Sequence, residues 1–218
     1  MFDYNNPAAM FFLVLGFYLV PMVIGYILGL FRVVNVVKIH ELGKKLGDPL
    51  TTKIHNWSRK YIKSSLKDGN WLLLFFTIFL NNLILVALIS RIVYGVIFII
   101  PLLLTAWTGF GQGVVFSREK GRSGILLLFF EFGGYLLATV VGVQIGLSIF
   151  VSIINKSRLI LQIPWDYVLA MVVFLYMGAI IETLILRESA KHMDLSDIEN
   201  IDFEKRRREI VEELDKDI

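Results

Sequence analysis

Five long apolar stretches separated by short polar connections set the pattern of this chain, at about 10–31, 71–90, 92–116, 124–154 and 165–186. A helix rising about 1.5 Å per residue needs roughly 20 such residues to cross a hydrocarbon core ~30 Å thick. The pattern therefore predicts an all-α, polytopic membrane bundle of about five transmembrane helices. The fourth stretch is long enough to tilt or to overrun the bilayer. Arg91 interrupts a run too long for one crossing and predicts a tight hairpin turn between the second and third spans. Pro21 predicts a kink in the first span, where neighbouring helices satisfy the freed backbone groups.

Four parts follow: an N-terminal segment with the first span (1–31), a connector (32–70), a four-helix core (71–186) and a charged helical tail (187–218). In the connector, Gly47, Asp48 and Pro49 break the pattern into two short helical pieces. The second piece places Ile54, Trp57 and Tyr61 at helical spacing among Lys53, Arg59, Lys60 and Lys63. A basic helix with aromatics on its apolar side suits the headgroup layer of an anionic leaflet, and a plain connector held by retained charge is the competing reading. In the tail, Glu204 and Arg208, like Lys205 and Glu209, sit four apart, where helical side chains meet. Phe203, Ile210, Val211 and Leu214 form only a weak apolar stripe, so the tail reads as a solvated helix that packs on the connector or binds a partner.

Composition agrees with lipid as the solvent: 56% of the 218 residues are hydrophobic and mean hydropathy is +0.68. There is no cysteine, which excludes a disulfide framework and a thiolate metal site. The N-terminal MFDYNNPAAM carries no basic residue, unlike a secretory signal, so the first apolar segment is expected to stay in the protein. Nothing resembles a lipidation signal.

Of the 22 lysines and arginines, nine fall in 32–70, three in 117–123 and seven after Leu186, leaving Arg91, Lys156 and Arg158 on the opposite side. Cytoplasmic loops retain positive charge, so the N-terminus is expected outside a cell membrane and the C-terminus in the cytoplasm. The run Lys205, Arg206, Arg207, Arg208 has acids on both flanks and reads as a solvated face, and no nucleic-acid partner is expected.

Candidate chemistry lies inside the spans, where an ionisable or amide side chain must be paired or hydrated. Glu131 in the fourth span and Glu182 near the end of the fifth both fall toward the same face, where they could approach one another or a shared cavity. Asn81 and Asn82 are adjacent at mid-depth in the second span and are expected to bind helices together, with Gln112 and Gln144 as candidate partners. Small residues recur four apart at Gly25 and Gly29, Gly109 and Gly113, and Gly142 and Gly146. That spacing lets helix backbones approach closely, within the bundle or between protomers of a homo-oligomer.

Catalytic chemistry is scarce. His40, His55 and His192 lie outside the spans with no metal-ligand spacing, and neither a nucleophile elbow nor a Walker motif is present, so no enzyme, cofactor or metal is expected. Two functions remain. One is an oligomeric membrane scaffold whose connector and tail engage a membrane or cytoplasmic protein; the other is a small transporter or channel using the intramembrane carboxylates.

From Asn70 to Leu186 the chain resembles the stage II sporulation protein M family. The likeness is carried by FFTIFLNNLILVALI with Asn81 and Asn82, TGFGQGVVF with Gly109 and Gly113, EFGGYLLATVVGVQIG with Glu131 and Gly146, and GAIIETLI with Glu182. It departs from the pattern at Leu127 and Leu128, where many relatives carry a His-Gly pair, and at Thr108, where they carry asparagine. The resemblance implies a polytopic membrane component that, in sporulating bacteria, recruits and localises cell-wall hydrolases.

Overall fold

A computed structural model describes residues 6–31, 49–117, 125–156, 158–159, 161 and 163–191. The connector's first piece, the loop at 118–124 and the tail from 192 lie outside the described residues. So do the side chains of Ile54, Lys53 and His55, and with them His40, His192 and the tail's apolar stripe.

Among the described residues every regular element is helical, in the order α1 (Pro7–Leu30), α2 (Pro49–Lys67), α3 (Trp71–Leu80), α4 (Ile99–Phe116), α5 (Ile125–Ile154) and α6 (Trp165–Ala190). The helix that begins as α3 continues through a wider π-type stretch, Asn81–Val93, and a short 3₁₀ turn, Tyr94–Val96. Five helices are long and apolar enough to cross a membrane: α1, the continuous helix Trp71–Val96, α4, α5 and α6. Only α2 is too polar.

Local chemistry accounts for the ends. Asn6 caps α1, its side chain accepting from the backbone N–H groups of Ala8 and Ala9 at 3.0 and 3.3 Å, with Pro7 in the first turn where no donor is needed. Helix α1 then runs on through Pro21 to Leu30. Asn70 caps α3 at Leu73 N–H, 3.0 Å away, directly after a turn in which Gly69 takes φ 65°. At the far end of α5, Lys156 adopts φ 49°, the left-handed conformation that commonly ends a helix.

The expected hairpin turn at Arg91 is not there. The helix continues past it to Val96, and the chain reverses at Ile97 and Phe98, apolar residues with no charge between them. Arg91 is instead folded into the bundle with 5% of its surface exposed.

Helix α5 is the hub, packing on α1, α4, α6 and the π-type stretch, while α3 packs on α6 and α1 lies along α4. Met10, Val14 and Tyr18 of α1 meet Leu102 of α4 and Leu136, Val140 and Val143 of α5 in one buried cluster. At the end where α2 meets α3, Leu66 packs with Leu74, Ile78, Ala179 and Ala190, joined by Ile62, Trp71 and Leu186. The Arg187 guanidinium lies 5.6 Å from the centre of the Trp71 ring, and Trp165 at the other end of α6 is 70% exposed. Tryptophan and arginine favour the membrane–water boundary. The two levels are 22 residues apart on α6, about 33 Å of helix, which matches the hydrocarbon thickness.

Candidate functional site: a polar file between the helices

Glu131, Tyr135 and Thr139 follow one another at four-residue spacing on α5 and so share one face, a file about 12 Å long. At its first end the Glu131 carboxylate oxygen accepts from the Asn82 amide at 3.1 Å, and the Asn81 amide donates to Asn82 Oδ1 at 3.4 Å. The Glu182 carboxyl of α6 lies next to Glu131. Gly178, one turn before Glu182, makes the room: a Cβ there would stand 3.1 Å from Glu131 Cγ.

At the other end the Arg91 guanidinium donates from Nη1 to Pro101 O at 3.2 Å and Thr105 Oγ1 at 2.8 Å, and from Nη2 to Thr108 Oγ1 at 3.2 Å. Thr105 and Thr139 hydroxyls are 3.1 Å apart, and Thr139 donates to Tyr135 O at 2.9 Å. The hydrogen bonds therefore point one way, from Arg91 through Thr105 and Thr139 to the Tyr135 carbonyl. Tyr135 stands between the two ends of the file on the same face of α5. Each end of the file carries one buried atom with no hydrogen-bond partner among the described residues, Asn81 Oδ1 at one end and Arg91 Nε at the other.

The π-type stretch explains how Asn82 and Arg91 both turn inward. Nine residues make about two and a half turns of α-helix and would set the two on opposite faces. With hydrogen bonds reaching five residues back, a little over four residues complete a turn, and nine residues return to the same face. The Ser90 hydroxyl follows the wider register, donating to Leu85 O at 2.9 Å. Asn82, Ala87 and Arg91 are accordingly all buried.

Of the two arrangements open to the carboxyl groups, the structure has them side by side, whereas Gln112 and Gln144 do not partner the asparagines. Gln112 accepts from the Tyr18 hydroxyl on the α1–α4 side of the bundle. Gln144 lies thirteen residues beyond Glu131 on α5, about 20 Å along the helix, too far to reach an asparagine that binds Glu131. Arg91, Thr105, Thr108, Tyr135 and Thr139 were not among the candidate residues. The four-residue steps 131, 135, 139 and 101, 105, then 108, are the signal in the sequence that marks them.

All three glycine pairs are engaged inside the chain. On α1, a Cβ at Gly25 would strike the Phe110 backbone, and one at Gly29 the Ser117 side chain. Gly109 and Gly113 of α4 face the backbones of Tyr18 and Met22 in return. Gly142 and Gly146 of α5 lie against the backbone at Arg91 and Gly95.

On α2 the buried face carries Ser58, Ser65 and Leu66, while Trp57 and Tyr61 point outward, 50% and 39% exposed, with ring centres 4.7 Å apart. Lys60 is exposed between them, and Arg59 and Lys63 are half-buried. No family model, curated protein or solved structure matches this chain.

Proposed function

We propose that this chain is an integral membrane scaffold that recruits a protein partner, as its resemblance to the stage II sporulation protein M family implies. The observation that carries the reading is that all three small-residue stripes pack against other helices of the same chain, and that Asn82, Arg91, Thr105 and Glu131 hydrogen-bond across helices within it. These contacts close the bundle within the chain, and the polar segments of the sequence outside the spans remain to engage partners. A homo-oligomer would form through the lipid-facing surface rather than through the glycine stripes, which are already occupied.

A second reading, a small transporter or channel, is favoured by one specific observation. The basic group that a pair of intramembrane acids would otherwise lack is present as Arg91, at the far end of the same file, and each end carries an unpartnered polar atom. Reconstitution in liposomes separates the two. A scaffold shows no proton or alkali-cation flux above that of empty liposomes, and Glu131→Gln and Glu182→Gln, which keep size and hydrogen bonding, leave it stable. Wild-type flux that disappears in either glutamine variant, with stability retained, would overturn the scaffold as a sufficient account.

A further inference from the structure

We infer that the outward face of α2 is a docking surface for anionic lipid headgroups. Helix α2 contains five lysines and arginines and no acid: Lys53, Arg59, Lys60, Lys63 and Lys67. Its inward face is fixed, because Ile62 and Leu66 pack on Trp71 and Leu74 of α3 and on Leu186 and Ala190 of α6. The helix is therefore held at the level of the Arg187–Trp71 contact, where headgroups lie, and the three-residue turn 68–70 gives it no freedom to leave.

What it turns outward is chemically mixed. The Trp57 and Tyr61 rings present an apolar body with a polar edge, the composition that partitions into the headgroup layer. Lys60 lies exposed between them, its long stem able to lie along apolar surface while its charge meets phosphate. A neutral soluble partner accounts for the aromatics but not for a helix free of acids. An anionic leaflet accounts for both, since basic residues near such a surface each add to binding and aromatics anchor it. This surface is independent of whether the bundle recruits a protein or moves an ion.

Native mass spectrometry of the full chain, purified in neutral detergent with equal phosphatidylglycerol and phosphatidylcholine, tests this. The wild type should retain phosphatidylglycerol preferentially, and raising salt from low to near-molar should weaken the preference. Lys60→Gln should reduce it by up to about fivefold, Arg59→Gln/Lys60→Gln/Lys63→Gln should bring it close to parity, and Trp57→Ala/Tyr61→Ala should lower retention of both lipids. Thermal stability, measured alongside, identifies any variant that loses lipid by unfolding; Lys60→Gln, a single exposed change, then decides. Equal retention of the two lipids by the wild type, or a preference that Lys60→Gln and the triple variant leave intact, would overturn the inference. A preference that emerges only when residues 192–218 are removed would assign this face to the chain's own acidic tail and overturn it too.

Discussion

At the scale of single residues, Arg91 shows how a charge becomes tolerable between transmembrane helices. Its guanidinium is a planar fork, and the fork meets a carbonyl and two hydroxyls displayed by Pro101, Thr105 and Thr108 along one face of α4. An ammonium group cannot reach both threonines and the carbonyl at once. Arg91→Lys is therefore expected to lower stability in detergent by about 1–2 kcal/mol, and Arg91→Ala by more, since each lost bond to a charged group is worth roughly 1.5–3 kcal/mol before relief of desolvation. Unfolding titrations in sodium dodecyl sulfate measure both. A lysine variant as stable as the wild type would show that charge, not the fork, is what the site requires. The Asn82–Glu131 bond makes a separate prediction. A double-mutant cycle with Asn82→Ala and Glu131→Ala should return a coupling of about 1 kcal/mol, within the range for hydrogen bonds between membrane helices.

At the scale of elements, the glycines distinguish close backbone approach from mere composition. A Cβ on Gly113 would collide with Met22 O and stand 2.7 Å from Tyr26 N, whereas one on Gly16 has nothing within 4 Å. Gly113→Ala should then cost about 1–3 kcal/mol by forcing α1 and α4 apart. Gly16→Ala should be neutral or slightly stabilising, because alanine is the better helix former. Melting curves of the two variants in one detergent make the comparison, and equal behaviour would mean the helices do not approach as described. The helices themselves were legible because a run of 20 apolar residues has few other fates in lipid. The Arg91 hairpin was misread for a physical reason: hydropathy along one chain counts a guanidinium as a loop residue, and the acceptors that bury it stand on the next helix. The pairing of Asn82 with Arg91 on one face was equally hidden, since α-helical periodicity puts them on opposite sides and only the wider turns from Asn81 to Val93 bring them together. Glu131 and Glu182 were legible because an acid in a span must find polar company inside the bundle.

At the scale of the whole molecule, the placement of Arg91 sharpens the argument for orientation. Once it belongs to the bundle and not to a loop, Lys156 and Arg158 are the only basic residues left on the side where α5 ends and α6 begins. The nineteen others fall, along the sequence, in the segments that join or follow the opposite ends of the spans, and among the described residues α2 and the end of α6 pack together there around Leu66 and Ala190. Retention of positive charge supports the orientation proposed from the sequence, with that side in the cytoplasm and the N-terminus outside after five crossings. The cysteine-free sequence allows a direct test, with single cysteines at Ser64, which is exposed on α2 beside Asp68, and at Ser123, Ser157 and Ser196, which lie outside the described residues. An impermeant thiol reagent added to intact cells should modify only the Ser157→Cys protein. The other three should react after the membrane is opened with detergent, which also shows that their thiols are accessible. Reaction of Ser64→Cys and Ser196→Cys in intact cells, with Ser157→Cys protected, would reverse the orientation. It would also move α2 and its lysines to the outer leaflet, so the same measurement decides which lipids this face can meet.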